Sequence, residues 1–504
     1  MAFQIINSII SWFLKKRKHQ IELILKYPIN AQEELLFKLL NTAKNTKFGK
    51  EHQFSSITNY ASFSQQVPIQ KYESFEPLIE RCRKGEQNLF WPTHIKWFAK
   101  SSGTTNAKSK FIPVSDESLE HCHLKAGKDM LSLYINNNKH SELFTGKSLR
   151  LGGSSEMYQD NHSHFGDLSA IIIENMPFWA DFSSAPSQGV ALMSEWEKKM
   201  EAIIDETIHE NITSLVGVPS WMLVLLNRVL ERTGKKNILE VWPNLEVYFH
   251  GGVNFNPYRE QYKKLIPKPS FKYYETYNAS EGFFAIQDRN NSLELLLMLD
   301  YGIFYEFINM KEYKGEDSNT VGLSKVKTDV DYALIITTNS GLWRYLIGDT
   351  VRFTSIEPYR IKITGRTRHY INVFGEELNI ENVEDALKLA CEKTKSSIID
   401  YTVAPVFMKG KESGSHEWII EFNKAPKHLD VFTASLDHAL KSINSDYEAK
   451  RYKNMTLGMP KIHKAKNGLF YNWLKNKGKL GGQHKVPRLS NQREFIEELL
   501  LSNK

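Results

Sequence analysis

The chain is poor in cysteine, with 3 in 504 residues. Cys82, Cys122 and Cys391 lie far apart and form no CxxC pair, which excludes a disulfide framework and a thiolate zinc site. This usage is typical of a reducing compartment, so we expect a cytoplasmic protein. No apolar run reaches the roughly 20 residues that a transmembrane helix needs, and we expect no integral membrane segment.

A strong excess of charge of one sign is also missing. The net charge is +7, with 24% charged and 41% hydrophobic residues, which excludes disordered and fibrous classes. The basic residues form no stripe interleaved with aromatic side chains, so we expect no nucleic-acid partner. The mild positive charge is compatible with an anionic substrate such as a nucleotide. The length suggests about two to four domains, and we expect a monomer or a weak dimer.

The N-terminal segment has an apolar run followed by the basic residues 15–18. A secretory signal has the reverse order, with positive charge before the apolar run. The spacing predicts instead a helix with an apolar face that continues to Pro28. Docking of this helix on the protein surface and contact of its basic cluster with a membrane surface both remain open.

From about residue 145 to 365, short β-branched runs alternate with helical stretches, which predicts an α/β architecture. The later runs follow one another through hairpin-like connections, so part of the sheet should be antiparallel. The predicted strands are Ala170–Ile173, Ser214–Val218, Leu245–His250, Leu293–Leu299, Tyr332–Thr338 and Arg360–Thr364.

A domain boundary is predicted at the polar residues 365–369, directly after the last of these strands. We predict an N-terminal domain over 1–364, a hinge over 365–369 and a C-terminal cap domain over 370–504.

The cap domain shows an α+β pattern of two strands and two helices. Strands are predicted at Tyr401–Phe407 and His416–Phe422, and helices at Ile380–Cys391 and Leu429–Ile443. The closing stretch 461–488 is rich in Lys and Gly and is predicted to be irregular or mobile.

The sharpest local feature is a hydroxyl-rich loop around a glycine. It consists of Ser101, Ser102, Gly103, Thr104 and Thr105. Small residues let the backbone approach an anion, and their hydroxyl groups add hydrogen-bond donors. Lys108 arrives one residue too early for GxxxxGK[ST], so the loop is not a Walker A motif. Taken alone, the loop is equally compatible with a phosphate site and with an ordinary surface turn.

Two further segments carry residues that suit a nucleotide. Residues 277–282 (YNASEG) offer an aromatic ring to stack on a base, a hydroxyl for a phosphate and a carboxylate for Mg²⁺. Asp349 follows a glycine after a predicted strand, where an acid can accept hydrogen bonds from ribose hydroxyls. Each segment also admits a purely structural interpretation. Their order along the chain, followed by a polar hinge and a small domain, favours one nucleotide site.

That order resembles the superfamily of adenylate-forming enzymes. Within it, the chain is similar to the auxin-responsive Gretchen Hagen family of acyl acid–amido synthetases. The similar segments are SSGTT with a following Lys and Ile-Pro, YNASE, WRYLIGD, FYEFI and QHKVPR. Ala107 stands where many relatives carry Gly. Residues 370–378 look more like a bacterial-type member of the family or like the Gly-Glu turn of acyl-CoA ligases.

The resemblance implies a large N-terminal adenylate-forming domain with mixed sheets flanked by helices, and a smaller mobile α+β domain. It implies that ATP, with Mg²⁺, converts a carboxylic acid into an acyl-adenylate. An amine, usually an amino acid, then displaces AMP. An acyl-CoA ligase with the same first step stays open as an alternative, as does a nucleotide-binding protein without turnover.

The resemblance also implies roles for individual residues. The loop residues 101–105 would hold the departing phosphates, and Thr105 is included among the catalytic residues. Tyr277 would stack on adenine, Ser280 would reach the α-phosphate, and Glu281 would hold Mg²⁺. Lys485 is our candidate for a mobile catalytic lysine.

For the ribose and the acid, the implied residues lie elsewhere in the chain. Asp349 would bind the ribose together with Arg366. Val218 and Trp221 would line the pocket for the acyl group.

Overall fold

The fold is described on a computed structural model of the chain. The structure describes residues 2–101, 110–152, 158–159, 162–177, 180, 183–252, 255–256, 258–367, 370–371, 376, 378–407, 413–451, 454, 457–478, 486–490 and 492–504.

The strands of this part of the chain are numbered in chain order. They are β1 Trp97–Ser101, β2 Lys110–Val114, β3 Lys147–Leu151, β4 Tyr158–Gln159, β5 His164–Gly166, β6 Ser184–Ala185, β7 Ile212–Gly217, β8 Val247–Gly251, β9 Lys272–Ala279, β10 Gly282–Ile286, β11 Leu295–Leu297, β12 Ile303–Asn309, β13 Val321–Gly322, β14 Asp331–Thr338, β15 Tyr345–Ile356, β16 Tyr359–Arg366, β17 Tyr370–Ile371, β18 Leu378–Asn379, β19 Ser397–Val406, β20 Ser415–Lys424 and β21 Lys461–Lys464.

The α-helices lie between and around these strands. They are Ala2–Lys26, Pro28–Ala43, Lys47–Glu51, Tyr60–Gln66, Tyr72–Arg83, Asp116–Ser118, Lys125–Asn137, Leu168–Glu174, Gln188–Ala191, Trp196–Thr207, Pro219–Thr233, Arg259–Leu265, Ile380–Thr394, Leu429–Ile443, Ser445–Arg451, Leu469–Asn476 and Glu494–Ser502.

A mixed sheet forms the centre of the large domain, with strand order β13-β12-β14-β15-β16-β11-β10-β9-β8-β7-β3-β6. The strands from β13 to β9 pair antiparallel, whereas β9, β8, β7, β3 and β6 pair parallel. Strand β9 therefore joins the two halves. Ligands of such sheets bind outside the carboxyl ends of the parallel strands, which is where β9 enters its hairpin.

Helices cover both faces of the parallel half. On one face, Met200 and Leu226 pack with Tyr248 of β8. On the other face, Tyr134 packs against Phe249 and Tyr274. This burial on both sides explains why β7 and β8 appear in the sequence as short continuous apolar runs. The predicted α/β architecture is confirmed.

The smaller C-terminal unit is built on the sheet β19-β20-β21. Helices Ile380–Thr394 and Leu429–Ile443 pack on it through Ala386 and Leu436, against Trp418 of β20. This is the predicted α+β arrangement, and the second helix has the predicted bounds.

The predicted strand Ala170–Ile173 is wrong, because these residues lie in the helix Leu168–Glu174. Asp167 caps the helix by accepting a hydrogen bond from the backbone N–H of Ser169 at 2.8 Å. A short apolar run cannot separate a strand from a buried helix, and the cap decided between them here.

The first part of the closing stretch 461–488 differs from its prediction as an irregular segment, whereas residues 479–485 lie outside the described residues. Lys461–Lys464 forms β21, and Leu469–Asn476 forms a helix whose Leu469, Phe470 and Trp473 are buried. The lysines of the stretch lie mostly outside this helix, which contains only Lys475, so the overall Lys-rich composition gives no sign of the apolar face.

The N-terminal helix Ala2–Lys26 docks on the surface of the large domain, which is the first of the two alternatives predicted for it. The Arg17 guanidinium bonds Asp129 at 2.7 Å and Asp300 at 3.0 Å, and Ile21 is buried. Over the described ranges, no helix combines the length and the apolar character needed to cross a membrane.

The arginine of the WRYLIGD segment has a structural role. Arg344 is buried and donates to Glu306 at 2.9 Å and to the carbonyls of Ser64 and Val67 at 2.8 and 2.6 Å. These bonds join the sheet to the N-terminal helical region. A buried guanidinium needs this set of partners, because an unpaired charge is costly there.

Arg344→Met should therefore destabilise the protein by about 3 kcal/mol, since it leaves the buried Glu306 carboxylate without a compensating cation. Arg352→Met is the matched control, because its partner Asp331 lies at a partly exposed site and the pair should contribute about 1 kcal/mol or less. Chemical denaturation of both variants measures the difference. Equal losses would contradict the assigned role of Arg344.

Candidate functional site

The hairpin between β9 and β10 presents the second motif. Ala279 pairs with Gly282, so Ser280 and Glu281 form its two-residue loop. The Ser280 hydroxyl oxygen is buried and has no hydrogen-bond partner among the described residues. A buried hydroxyl of this kind is free to donate to an anion, which is the role predicted for it.

Three predicted nucleotide-site residues bond directly to one another. The Tyr277 hydroxyl donates to Asp349 Oδ2 at 2.8 Å, and Arg366 Nε donates to Asp349 Oδ1 at 2.7 Å. Asp349 and Arg366 face each other across the antiparallel pair β15–β16. Gly348 precedes the acid with φ +89°, a conformation that favours glycine. The structure thus joins residues 72 and 17 positions apart in the chain.

Burial and charge tune this group. Burial, with the nearby Asp349 charge, raises the pKa of Tyr277 well above its usual range. The Asp349 carboxylate raises the pKa of Arg366. Tyr277 therefore remains a hydroxyl donor and Arg366 remains a cation at neutral pH, so Asp349 is held in one orientation by two fixed partners. Its remaining acceptor capacity suits the hydroxyl groups of a sugar.

Glu281 lies within electrostatic reach of Lys110, the first residue of β2. Burial raises the pKa of its carboxyl, and the Lys110 ammonium opposes this shift. The Tyr345 hydroxyl donates to it at 3.5 Å. Lys110 also pairs with Ser101 at the end of β1, so these two residues bracket the loop on neighbouring strands.

Several predicted site residues cannot be placed. Ser101 ends β1, and its side chain is outside the described part of the structure. Ser102, Gly103, Thr104, Thr105 and Lys485 lie outside the described residues. Their roles stay predictions.

A cavity of about 1920 Å³ lies beside the Tyr277–Asp349–Arg366 group, and Ser280 and Glu281 are not among its lining residues. Tyr277, Asp349 and Arg366 line it, and so do the predicted acyl-pocket residues Val218 and Trp221. Its apolar wall comes from the parallel strands and from the helices Lys125–Asn137 and Leu168–Glu174. Members of that wall are Leu124, Leu131, Leu168, Ile172, Val216 and Phe249. The cavity thus offers a polar, charged end and an apolar end.

Glu275 and His250 also line this cavity, and neither is among the site residues predicted from the sequence. They face each other across β8 and β9, and Glu275 lies two residues before Tyr277 on the same strand. The period of two places Glu275 and Tyr277 on one face of the sheet, and this alternation could have identified the residue. Burial raises the pKa of Glu275 to about 7 and lowers the pKa of His250 to about 3.

Glu275→Gln should stabilise the protein at pH 8 but much less at pH 5. The carboxyl ionises near 4.5 in the unfolded chain and near 7 in the folded protein, so raising the pH between these values favours unfolding. With a discount for partial exposure, the gain at pH 8 is about 1–2 kcal/mol. Thermal unfolding at both pH values measures it, with the exposed Glu260→Gln as control. A gain that is the same at pH 5 and pH 8 would count against the raised pKa.

Solved structures share this fold. The chain superposes on "GH3.15 acyl acid amido synthetase" with a TM-score of 0.80 at 17% identity, covering 97% of this chain and 96% of the other. A 2-hydroxyisobutyryl-CoA ligase in complex with 2-HIB-AMP superposes with a TM-score of 0.59 at 12% identity, covering 96% and 92%.

The sequence defines the family. Residues 17–271 match the GH3 family N-terminal domain, 296–366 its central domain and 381–494 its C-terminal domain. The chain belongs to the GH3 family, which confirms the resemblance drawn from its motifs. The bacterial-type assignment stays a prediction.

Curated relatives align with nearly the whole chain. "Indole-3-acetic acid-amido synthetase GH3.3" from Arabidopsis thaliana is 22% identical, over 93% of this chain and 90% of the relative. "Jasmonoyl--L-amino acid synthetase JAR6" from Nicotiana attenuata is 22% identical, over 94% and 93%.

Proposed function

We propose that the protein is an acyl acid–amido synthetase. A carboxylate oxygen of the acid attacks the α-phosphorus of ATP, and pyrophosphate leaves. The nitrogen of an amine, an amino acid in our proposal, then attacks the activated carbonyl carbon, AMP leaves, and the amine releases a proton. The single observation that carries the proposal is the cavity, which joins the Tyr277–Asp349–Arg366 group to an apolar pocket.

Catalysis of this reaction rests on positioning and on neutralising charge, so the protein needs no covalent intermediate of its own. Asp349, fixed by Arg366, binds the ribose, and Tyr277 stacks on adenine. Ser280 donates to the α-phosphate. The loop Ser101–Thr105 holds the phosphates that depart, through backbone N–H groups and hydroxyls.

Mg²⁺ fits the residues that are present. Glu281 supplies a carboxylate oxygen, the donor type that this cation prefers, at the loop next to Ser280. Among the residues that the structure describes, no group of three His, Cys, Asp or Glu side chains could hold a metal. We infer that Glu281 would hold the ion together with phosphate oxygens and water. Bound there, Mg²⁺ would neutralise phosphate charge.

The acid would occupy the apolar end of the cavity, between Val218 and Trp221 on one side and the helix Lys125–Asn137 on the other. Lys485 would neutralise charge on ATP during the first step. We place the domain boundary at the hinge 365–369, between domains 1–364 and 370–504. Rotation there would admit the amine after pyrophosphate leaves.

The cysteines are compatible with a cytoplasmic enzyme. Cys82, Cys122 and Cys391 are all free thiols in the structure. A reducing compartment keeps thiols in this state.

ATP-dependent trapping with hydroxylamine tests the proposal over a panel of carboxylic acids. Hydroxylamine replaces the amine, so any acid that is activated gives a hydroxamate together with AMP and pyrophosphate. If the protein binds ATP but releases no pyrophosphate with any acid of the panel, the proposal is contradicted and a nucleotide-binding protein without turnover is supported. With the best acid, product mass in the presence of amino acids or CoA separates an amido synthetase from an acyl-CoA ligase.

A further inference from the structure

The chain that directly follows Lys485 is bonded into the C-terminal domain. Residues 486–490 run beside β19, where Val403 donates to the Arg488 carbonyl at 2.9 Å and Ser490 donates back to the Val403 carbonyl at 3.0 Å. The Thr402 hydroxyl donates to the carbonyl of Pro487. These bonds fix where the segment containing Lys485 rejoins the domain.

The Arg488 side chain adds a second set of contacts within the same domain. Its guanidinium pairs with Asp400, donates to the Tyr401 carbonyl at 3.3 Å and lies over the Tyr401 ring at 4.6 Å. The charge of Arg488 is therefore compensated inside the C-terminal domain. These contacts are internal to the domain, so a rigid rotation of the domain preserves them.

One further bond of Arg488 crosses to the large domain. Its Nη2 donates to the Tyr258 hydroxyl at 3.2 Å, and Tyr258 is 2% exposed within the core of the large domain. A rotation of the C-terminal domain must break this bond. Because the hydroxyl is neutral and Asp400 retains the charge, the bond can break without leaving a buried ion unpaired.

The bond lies at the cavity of the candidate site. Pro487, Arg488 and Tyr258 line the same cavity as Tyr277 and Asp349. Other contacts also cross between the domains: Tyr471 contacts Glu197 and Arg228, Gln261 donates to the Ile398 carbonyl at 3.3 Å, and Arg352 pairs with Glu381 at 3.5 Å. Among these contacts, the Tyr258–Arg488 bond lies at the cavity and involves a residue only three positions after Lys485.

We propose that Tyr258 and Arg488 are positioning residues that hold the C-terminal domain in the orientation used for adenylation. Their bond breaks when the domain turns to admit the amine. This inference rests on the proposed function and deepens it, because it assigns the two residues to one half-reaction.

Tyr258→Phe tests the inference, since it removes the bond from Arg488 to Tyr258 and keeps the ring, every Arg488 contact inside the C-terminal domain and the other contacts between the domains. With the acid that gives the most hydroxamate, ATP–pyrophosphate exchange should fall about 3- to 10-fold, the effect of one hydrogen bond. Aminolysis of the presynthesised acyl-adenylate should keep its rate or rise. An equal change in both half-reactions, or no change in either, would overturn the inference.

Two further variants separate positioning from folding. Tyr248→Phe is the matched control, because the Tyr248 hydroxyl donates to the Gly217 carbonyl at 2.9 Å, entirely inside the large domain. This variant should leave the ratio of the two half-reaction rates unchanged. Arg488→Lys keeps the charge opposite Asp400 but loses the forked geometry, so it should lower exchange more than aminolysis. A Tyr248→Phe ratio shifted as far as that of Tyr258→Phe would overturn the inference.

The wild-type protein separates this inference from the proposed function. If the wild type catalyses ATP–pyrophosphate exchange but Tyr258→Phe leaves the ratio of exchange to aminolysis unchanged, only the inference about Tyr258 and Arg488 is contradicted. No exchange in the wild type with any acid removes the proposed function and the inference together.

Discussion

Lys485→Ala should slow ATP–pyrophosphate exchange by about 1000-fold, while aminolysis of a presynthesised acyl-adenylate keeps its rate. The ammonium group acts as a point charge on negative oxygens that exist only while ATP is attacked. Once pyrophosphate has left, that charge has no further part in our account. The two half-reactions are measured separately, the first by isotope exchange into ATP and the second by amide formation.

Lys466→Ala is the control for this variant. Lys466 is an exposed lysine of the same lysine-rich stretch, and its removal changes the net charge equally. Both half-reactions should be unaffected in this control. Equal loss of both half-reactions in Lys485→Ala would count against its assignment to adenylation.

Asp349→Asn should lower kcat/KM for ATP by between about 100- and 1000-fold. The substitution keeps the shape of the side chain but removes the charge that faces Arg366 at 2.7 Å. It also replaces one acceptor oxygen with an NH₂ group, so one of the bonds to Tyr277, Arg366 or the ribose is lost. Initial rates of pyrophosphate release over a range of ATP concentrations give kcat and KM.

Asp331→Asn is the matched control, because Asp331 also pairs with an arginine of a neighbouring strand but does so at a partly exposed site. It should leave kcat/KM for ATP within about twofold. A loss in Asp349→Asn that matches the small loss in Asp331→Asn would show that the Asp349 pair is structural only.

The predictable part of the site follows from chemistry carried by single residues. The sequence predicts Tyr277 and Asp349 as site residues because an aromatic ring suits a base and an acid at a glycine turn suits a ribose. The structure bonds them to each other at 2.8 Å. Period-two alternation along β9 would also have placed Glu275 beside Tyr277.

The remaining features depend on long-range pairing. Nothing local in β9 shows that it lies between β8 and β10, with β15 and β16 folded back to place Asp349 at its end. A sequence motif also does not distinguish residues that stabilise the fold from residues that contact substrate. Arg344 of the WRYLIGD motif, for example, pairs with Glu306 in the core. The mistaken strand at Ala170–Ile173 has a local cause, because the cap at Asp167 outweighs β-branched composition.

The central claim is that the acid attacks the α-phosphorus of ATP. The most direct measurement uses an acid that carries ¹⁸O in both carboxylate oxygens, with mass analysis of the nucleotide released during amide formation. We expect one labelled oxygen in each AMP, because the attacking carboxylate oxygen stays on the phosphate when the amine displaces AMP. Label in pyrophosphate or in inorganic phosphate, or AMP without label, would contradict the central claim.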